Sequence, residues 1–82
     1  MLDVGRVCMK IAGRDAKQIG VIVEVLDKTY VLVDGQVRRK KCNMSHLEPL
    51  SKVVDIDKGA SHEEVVAALK KIGIECSIKS AQ

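Results

Sequence analysis

The chain has 82 residues, with 14 Lys/Arg against 11 Asp/Glu for a net charge of +3. That length allows one small domain, burying roughly 60–65% of its unfolded surface, and leaves no depth for a water-excluding catalytic pocket. There is no Phe or Trp, and Tyr30 is the single aromatic, so the core is Val, Ile, Leu and Met, and a base-stacking platform for splayed single strands is excluded.

The charge is unevenly placed. Residues 1–52 carry ten Lys/Arg against six Asp/Glu, or +4, and residues 53–82 carry four against five, or −1. A positive field confined to the first part of the chain predicts a polyanion-facing module with a neutral annex. Cys8, Cys42 and Cys76 include no close-spaced pair, which reads as reduced thiols in a cytosolic protein rather than a disulfide framework. No apolar run reaches membrane-spanning length and the N-terminus has no signal-like apolar segment. A soluble, untargeted, cytoplasmic protein with no membrane partner is expected.

In chain order, Arg6–Ile11 alternates polar with apolar residues and predicts a half-buried first strand, with Val7, Met9 and Ile11 inward. A polar loop follows, punctuated by Gly13 and Gly20, from which Arg14 and Lys17 project charge. It runs into a second strand, Val21–Leu26, whose Val21, Val23 and Val25 alternate into the core. A basic loop seated on a strand is a natural contact for a phosphate backbone. Gly20 is expected at extended angles, with RNA approaching too closely for a Cβ. After the break at Asp27–Lys28, Thr29–Val33 forms a third strand. Asp34–Gly35 predicts a tight hairpin turn, and Gln36–Cys42 a fourth strand.

Arg38, Arg39, Lys40 and Lys41 are four consecutive cations, with nothing acidic between Gly35 and His46. Neighbours on a strand face opposite ways, so they cannot all share one face. One reading is a solvated edge strand guarded by charge. Beside the basic loop, polyanion contact is the stronger reading, since Arg grips phosphates bidentately and Lys acts as a point charge. Arg6, Lys10 and His46 complete the candidate set.

Residues 43–49 are too short for a helix and end at Pro49, which predicts a 3₁₀ turn. Ser51–Ile56 then closes as a fifth strand. Ser61 with Glu64 forms a capping box, and Glu63, Glu64, Lys70 and Lys71 suit the two ends of a helix dipole. Val65, Val66, Leu69 and Ile72 fall on one stripe, and Gly73 terminates a helix of about three turns. Ile74–Ile78 either adds a short strand or trails along the surface. His62, in the first helical turn, reads as solvated.

The expected fold is therefore mostly β: a small SH3-like barrel of four to five antiparallel strands over residues 1–58, with one helix and a C-terminal segment, residues 59–82, packed on it as part of the same domain. No nucleophile elbow, phosphate-loop signature or paired-carboxylate arrangement is present. Cys42 and His46 form one loose pair without a second, short of a structural zinc set. No enzyme activity, cofactor, metal or small-molecule substrate is expected.

The Gly13–Val23 stretch resembles the KOW element of ribosomal and transcription-associated proteins, its hallmark glycine matching Gly20, with Lys17 where many such loops carry a second glycine. Val4–Cys8, Tyr30–Gly35, Val37–Asn43, His46–Pro49 and Asp55–Ser61 extend the likeness over nearly the whole chain. Together they resemble the archaeal and eukaryotic large-subunit ribosomal protein fourteen-e family, in its short archaeal form. That resemblance implies an SH3-like barrel docked on large-subunit ribosomal RNA beside neighbouring ribosomal proteins. The Gly13–Gly20 loop and the Arg38–Lys41 strand would then be the main RNA contacts. The alternative is a KOW-type protein-binding module of a transcription or translation factor, contacting its partner through an exposed strand edge.

Overall fold

The computed structural model describes residues 3–13 and 16–74. Five antiparallel strands, β1 (Arg6–Lys10), β2 (Ile19–Val25), β3 (Tyr30–Gly35), β4 (Lys40–Asn43) and β5 (Leu47–Val53), form one sheet in the order β4-β3-β2-β1-β5. A 3₁₀ turn over Met44–His46 links β4 to β5, as expected, and helix α1 spans His62–Lys71. Register shifts in β1·β5 between Arg6 and Cys8, and in β2·β3 between Ile22 and Glu24, add the twist that curls a short sheet into an SH3-like barrel.

Two apolar clusters occupy the two faces of this sheet. Cys8, Ile22, Val31, Val33, Val37, Cys42 and Leu47 fill the barrel. Val7, Val21, Val23, Val54 and Ala60 meet Val65 and Leu69 of α1 on the other side. Consecutive residues of β1 and β2 are thus buried on opposite faces, as in any strand covered on both sides. This corrects two inward stripes read from the sequence: Cys8 is fully buried while Ile11 is 51% exposed, and Val25 has left the core at 42%.

Strand limits differ from expectation where the turn chemistry differs. Asp34 and Gly35 do not form a hairpin turn. They are the last residues of β3, opposite Val21 and Gly20, and the reversal falls on Gln36–Arg39, so β4 begins only at Lys40. The reason is the Asp34 side chain, which is fully buried and accepts the Gly35 N–H at 2.8 Å instead of turning to solvent. The fifth strand begins at Leu47, earlier than expected, and contains Pro49 opposite Cys8 at the register shift. A proline is tolerated there because β5 is an edge strand whose outward N–H needs no partner.

α1 forms as its local signals dictate. The Ser61 hydroxyl accepts the Glu64 N–H, and Glu64 Oε1 accepts the Ser61 N–H. At the other end Gly73, at φ 88°, donates its N–H to the Lys70 carbonyl, and the Ile74 N–H reaches the Leu69 carbonyl at 3.0 Å. This is a Schellman closure, and it brings Ile74 against the Val65–Leu69 cluster. The surface or strand role expected for Ile74–Ile78 otherwise lies outside the described residues, as does Cys76.

α1 sits where two glycines face each other. A Cβ on Gly35, at φ 137°, would lie 3.0 Å from Leu69 Cδ1 and 3.3 Å from the Ile19 carbonyl oxygen, while one on its partner Gly20 would lie 3.3 Å from Val37 Cγ2. The first clash is with the docked helix and comes with backbone strain; the second is with a single side chain. Gly35→Ala should therefore cost more than about 1 kcal/mol, and Gly20→Ala less, by urea unfolding. Leu69→Ala should cost about 2–5 kcal/mol and Ser61→Ala about 1 kcal/mol. A Leu69→Ala midpoint equal to the parent's would mean that α1 is not docked.

Candidate nucleic-acid interface

The β-ladder collects most of the predicted cations at one end of the sheet. β1 ends there and β2 begins, joined by the basic loop. β3 ends and β4 begins at the same end, joined by Gln36–Arg39. The two loops are tied together: the Gln36 N–H donates to the Ile19 carbonyl at 2.9 Å and Gln36 Oε1 accepts the Ile19 N–H at 2.8 Å. The 3₁₀ turn joins them through the Ile11 N–H and the His46 carbonyl, 2.9 Å apart. Lys10, Gly13, Lys17, Arg38 and His46 thus share one end of the sheet, with Lys17, Arg38 and His46 exposed. Arg14 lies outside the described residues.

Within the basic loop, Lys17 is the one non-glycine among the described residues with positive φ, at 73°. Its N–H donates to the Lys10 carbonyl at 2.6 Å. The position asks for a left-handed residue, the conformation glycine adopts most readily, and lysine takes it here while adding a charge. Lys10 is nearly buried, at 8% exposure. Gly20 is extended, as expected, but it is buried beneath Val37. The close approach that it permits is of the protein's own side chain, which corrects the expectation of RNA against this glycine.

The basic run is divided by the fold. Val37 is buried in the barrel and Arg38 is left exposed. Arg39 turns back: its Nε donates to Asp34 Oδ2 at 2.9 Å and its Nη2 to the Ala60 carbonyl. On the same carboxylate, Oδ1 faces His62 Nδ1 at 2.6 Å. An ionised carboxylate only accepts, so the imidazole proton belongs on Nδ1. His62 is therefore a structural contact rather than a solvated residue. Lys41 places its ammonium 4.3 Å from the centre of the Tyr30 ring, a cation–π contact on the β4 edge. Arg6 begins β1 at the opposite end of the sheet, opposite Val53, and its Nη1 donates to the Leu50 carbonyl at 3.0 Å.

Burial pushes the Cys8 thiol up to about 11. It is a thiol, not a thiolate, in its barrel site, whereas metal ligation and nucleophilic chemistry need the deprotonated form. Among the described residues no three His, Cys, Asp or Glu side chains are grouped for a metal ion. Sequence reasoning passed over Asp34 and its pairing with Arg39 and His62. The ordinary hairpin meaning of Asp-Gly masked the signal, since the partners lie five and 28 positions away.

No family model matches the chain. Curated relatives do. The large ribosomal subunit protein eL14 of Methanococcus vannielii is 53% identical over 73 residues, covering 89% of this chain and 95% of that protein. The chain belongs to the eL14 family. The eL14 of Metallosphaera sedula is 47% identical over 90% of this chain and 82% of its own length, and that of Staphylothermus marinus 44% over 89% and 81%.

Arg39→Met, which keeps the stem and removes the guanidinium, leaves the buried Asp34 carboxylate short of a partner. It should cost about 1–3 kcal/mol in urea unfolding. Arg38→Gln at the exposed neighbouring position should stay within about 0.5 kcal/mol of the parent.

Proposed function

We propose that this chain is a structural, non-enzymatic constituent of the large ribosomal subunit, bound to ribosomal RNA through one end of its barrel and bordered by neighbouring ribosomal proteins. The family membership supports the place of action. The observation that carries the mode of binding is the juxtaposition of the basic loop, the Gln36–Arg39 loop and the 3₁₀ turn through the Gln36–Ile19 and Ile11–His46 hydrogen bonds. Lys17 and Arg38 offer exposed charge on this end, and His46 a polar ring.

With one aromatic residue in the chain, recognition rests on phosphate charge and duplex shape rather than stacking. Arg38 and Lys41 are the contacts that the basic run offers from its exposed side, and Lys40 flanks them. Arg39 serves by holding the loop through Asp34, so that Arg38 is presented from a fixed backbone. Gly13 and Arg14 complete the proposed surface; Arg6, at the opposite end of the sheet, would be a separate RNA contact.

In a sucrose gradient of cell lysate the chain should sediment with large subunits; migration with RNA polymerase would favour the protein-binding alternative. With a large-subunit RNA fragment, log K against log[salt] should slope at roughly −3 to −5, for about four to six phosphate contacts. Arg38→Gln should flatten that slope by about 0.7–0.9. An unchanged slope would take the Gln36–Arg39 loop out of the interface.

A further inference from the structure

A groove lies between α1 and the segment that follows β5, in the part of the chain where acidic residues outnumber basic ones. Two adjoining hollows, of about 390 and 180 Å³, share Asp55, Ala68 and Lys71 and so form one channel. One wall is residues 53–57, whose exposure alternates as in a strand: Val54 is buried and Ile56 half-buried, while Val53, Asp55 and Asp57 are exposed. The other wall is a helical stripe of Glu64, Ala67, Ala68 and Lys71, spaced i, i+3, i+4, i+7 beside the Val65–Leu69 stripe that packs on the sheet. The middle of this wall is alanine, so another chain can come close to the helix.

The charges in the groove are unanswered. Among the described residues the side chains of Asp55, Asp57 and Lys71 make no hydrogen bond or ion pair, and the Glu64 carboxylate only caps α1. Three carboxylates against one ammonium repel a phosphate backbone, and they are not grouped to hold a metal ion. They are spread along the channel instead. Asp55 and Asp57 stand two apart, on one face of their segment, while Ile56 between them packs against the Val65–Leu69 cluster. The backbone is open as well: the N–H groups of Asp55, Ile56 and Asp57 have no partner among the described residues. An extended chain with cations at alternate positions answers both features, its carbonyls meeting the free N–H groups and its cations the carboxylates opposite.

We propose that this groove is the docking site for an extended, basic segment of another protein, laid between residues 53–57 and α1 with Lys or Arg at alternate positions. In the large subunit the segment belongs to a neighbouring ribosomal protein, and for that source alone the inference rests on the ribosomal reading. The groove opens at Val53, which is 57% exposed and pairs with Arg6 at the end of the sheet away from the basic loop. The protein partner and the RNA proposed for the basic end are thus held by different parts of the surface.

The test is an amide-resolved NMR titration of the full chain with a short synthetic peptide alternating Lys with Val, against one alternating Glu with Val. Shifts at Asp55, Ile56, Ala67 and Ala68 should saturate with the Lys peptide and be absent with the Glu peptide. Asp55→Asn together with Asp57→Asn should weaken the affinity about threefold or more, the scale of two exposed cross-strand charge pairs. Ala67→Arg, at an exposed helix position that tolerates the change, should abolish saturation by filling the groove and repelling the cations. A Lys peptide N-methylated at alternate positions, which cannot pair as a strand on both edges, should bind more weakly. Equal shifts with both peptides, no saturable shift with the Lys peptide, or binding untouched by Ala67→Arg would overturn the proposal. A second arm places a photo-cross-linker at Ala67 in purified large subunits and identifies the attached residues by mass spectrometry. Attachment to a protein segment with alternating Lys or Arg supports the ribosomal occupant, and attachment to RNA overturns it. A chain that saturates with the Lys peptide but never sediments with large subunits supports the groove and sinks the ribosomal reading. Sedimentation with large subunits and no peptide response sinks the groove alone.

Discussion

The buried carboxylate of Asp34 is the constraint on which the arrangement of loop, sheet and helix depends. A fully covered charge must be met by donors or it destabilises the fold by several kcal/mol. Its three donors come from different parts of the chain: the Gly35 N–H beside it, the Arg39 guanidinium in the next loop, and the His62 ring in the first turn of α1. Satisfying one carboxylate therefore fixes where β3 ends, how the following loop folds back and where α1 starts. Arg39 also donates to the Ala60 carbonyl just before the helix, so the loop and the helix entry are bound twice over.

Apolar packing reinforces the same joint. Val37 from that loop fills the barrel and covers Gly20, while Leu69 from α1 covers Gly35 on the paired strand. Two facing glycines let a loop residue and a helix residue approach the sheet more closely than side chains there would allow. Between the anchored Val37 and the anchored Arg39, Arg38 has nowhere to go but solvent. An exposed arginine on a backbone held at both neighbours loses less conformational freedom on binding than one on a loose loop. Stability at this joint and presentation of charge are one structural fact.

The eL14 relationship gives this geometry a setting without altering its logic. On the proposed reading, a chain with a single aromatic residue meets RNA through the number and placement of its cations. The fold separates those cations by role. Arg39 is spent internally, Lys41 lies against Tyr30, Lys10 is nearly buried, and Lys17 and Arg38 face outward. A count of charges along the chain treats these as equivalent, and the tertiary structure does not.

What the sequence by itself determined was local or repeated often enough to outvote exceptions. Ser61 with Glu64, the Val65–Leu69 stripe and Gly73 define α1, because caps and helical spacing act within four residues. Alternating valines define the central strands, and the position of the 3₁₀ turn before Pro49 was legible in the same way. The family likeness, carried by several separated phrases, was legible as well. What only the tertiary structure decided involved partners distant in sequence. Asp-Gly signals a turn when its carboxylate is solvated; here His62, 28 residues on, and Arg39 draw the carboxylate inside, and the turn moves to the next residues. Gly20 looked like a gap left for RNA until Val37 was placed over it. Lys10 looked like any strand cation until the fold covered it. Each was settled by what the folded chain brings to within 4 Å, a quantity that no local pattern encodes.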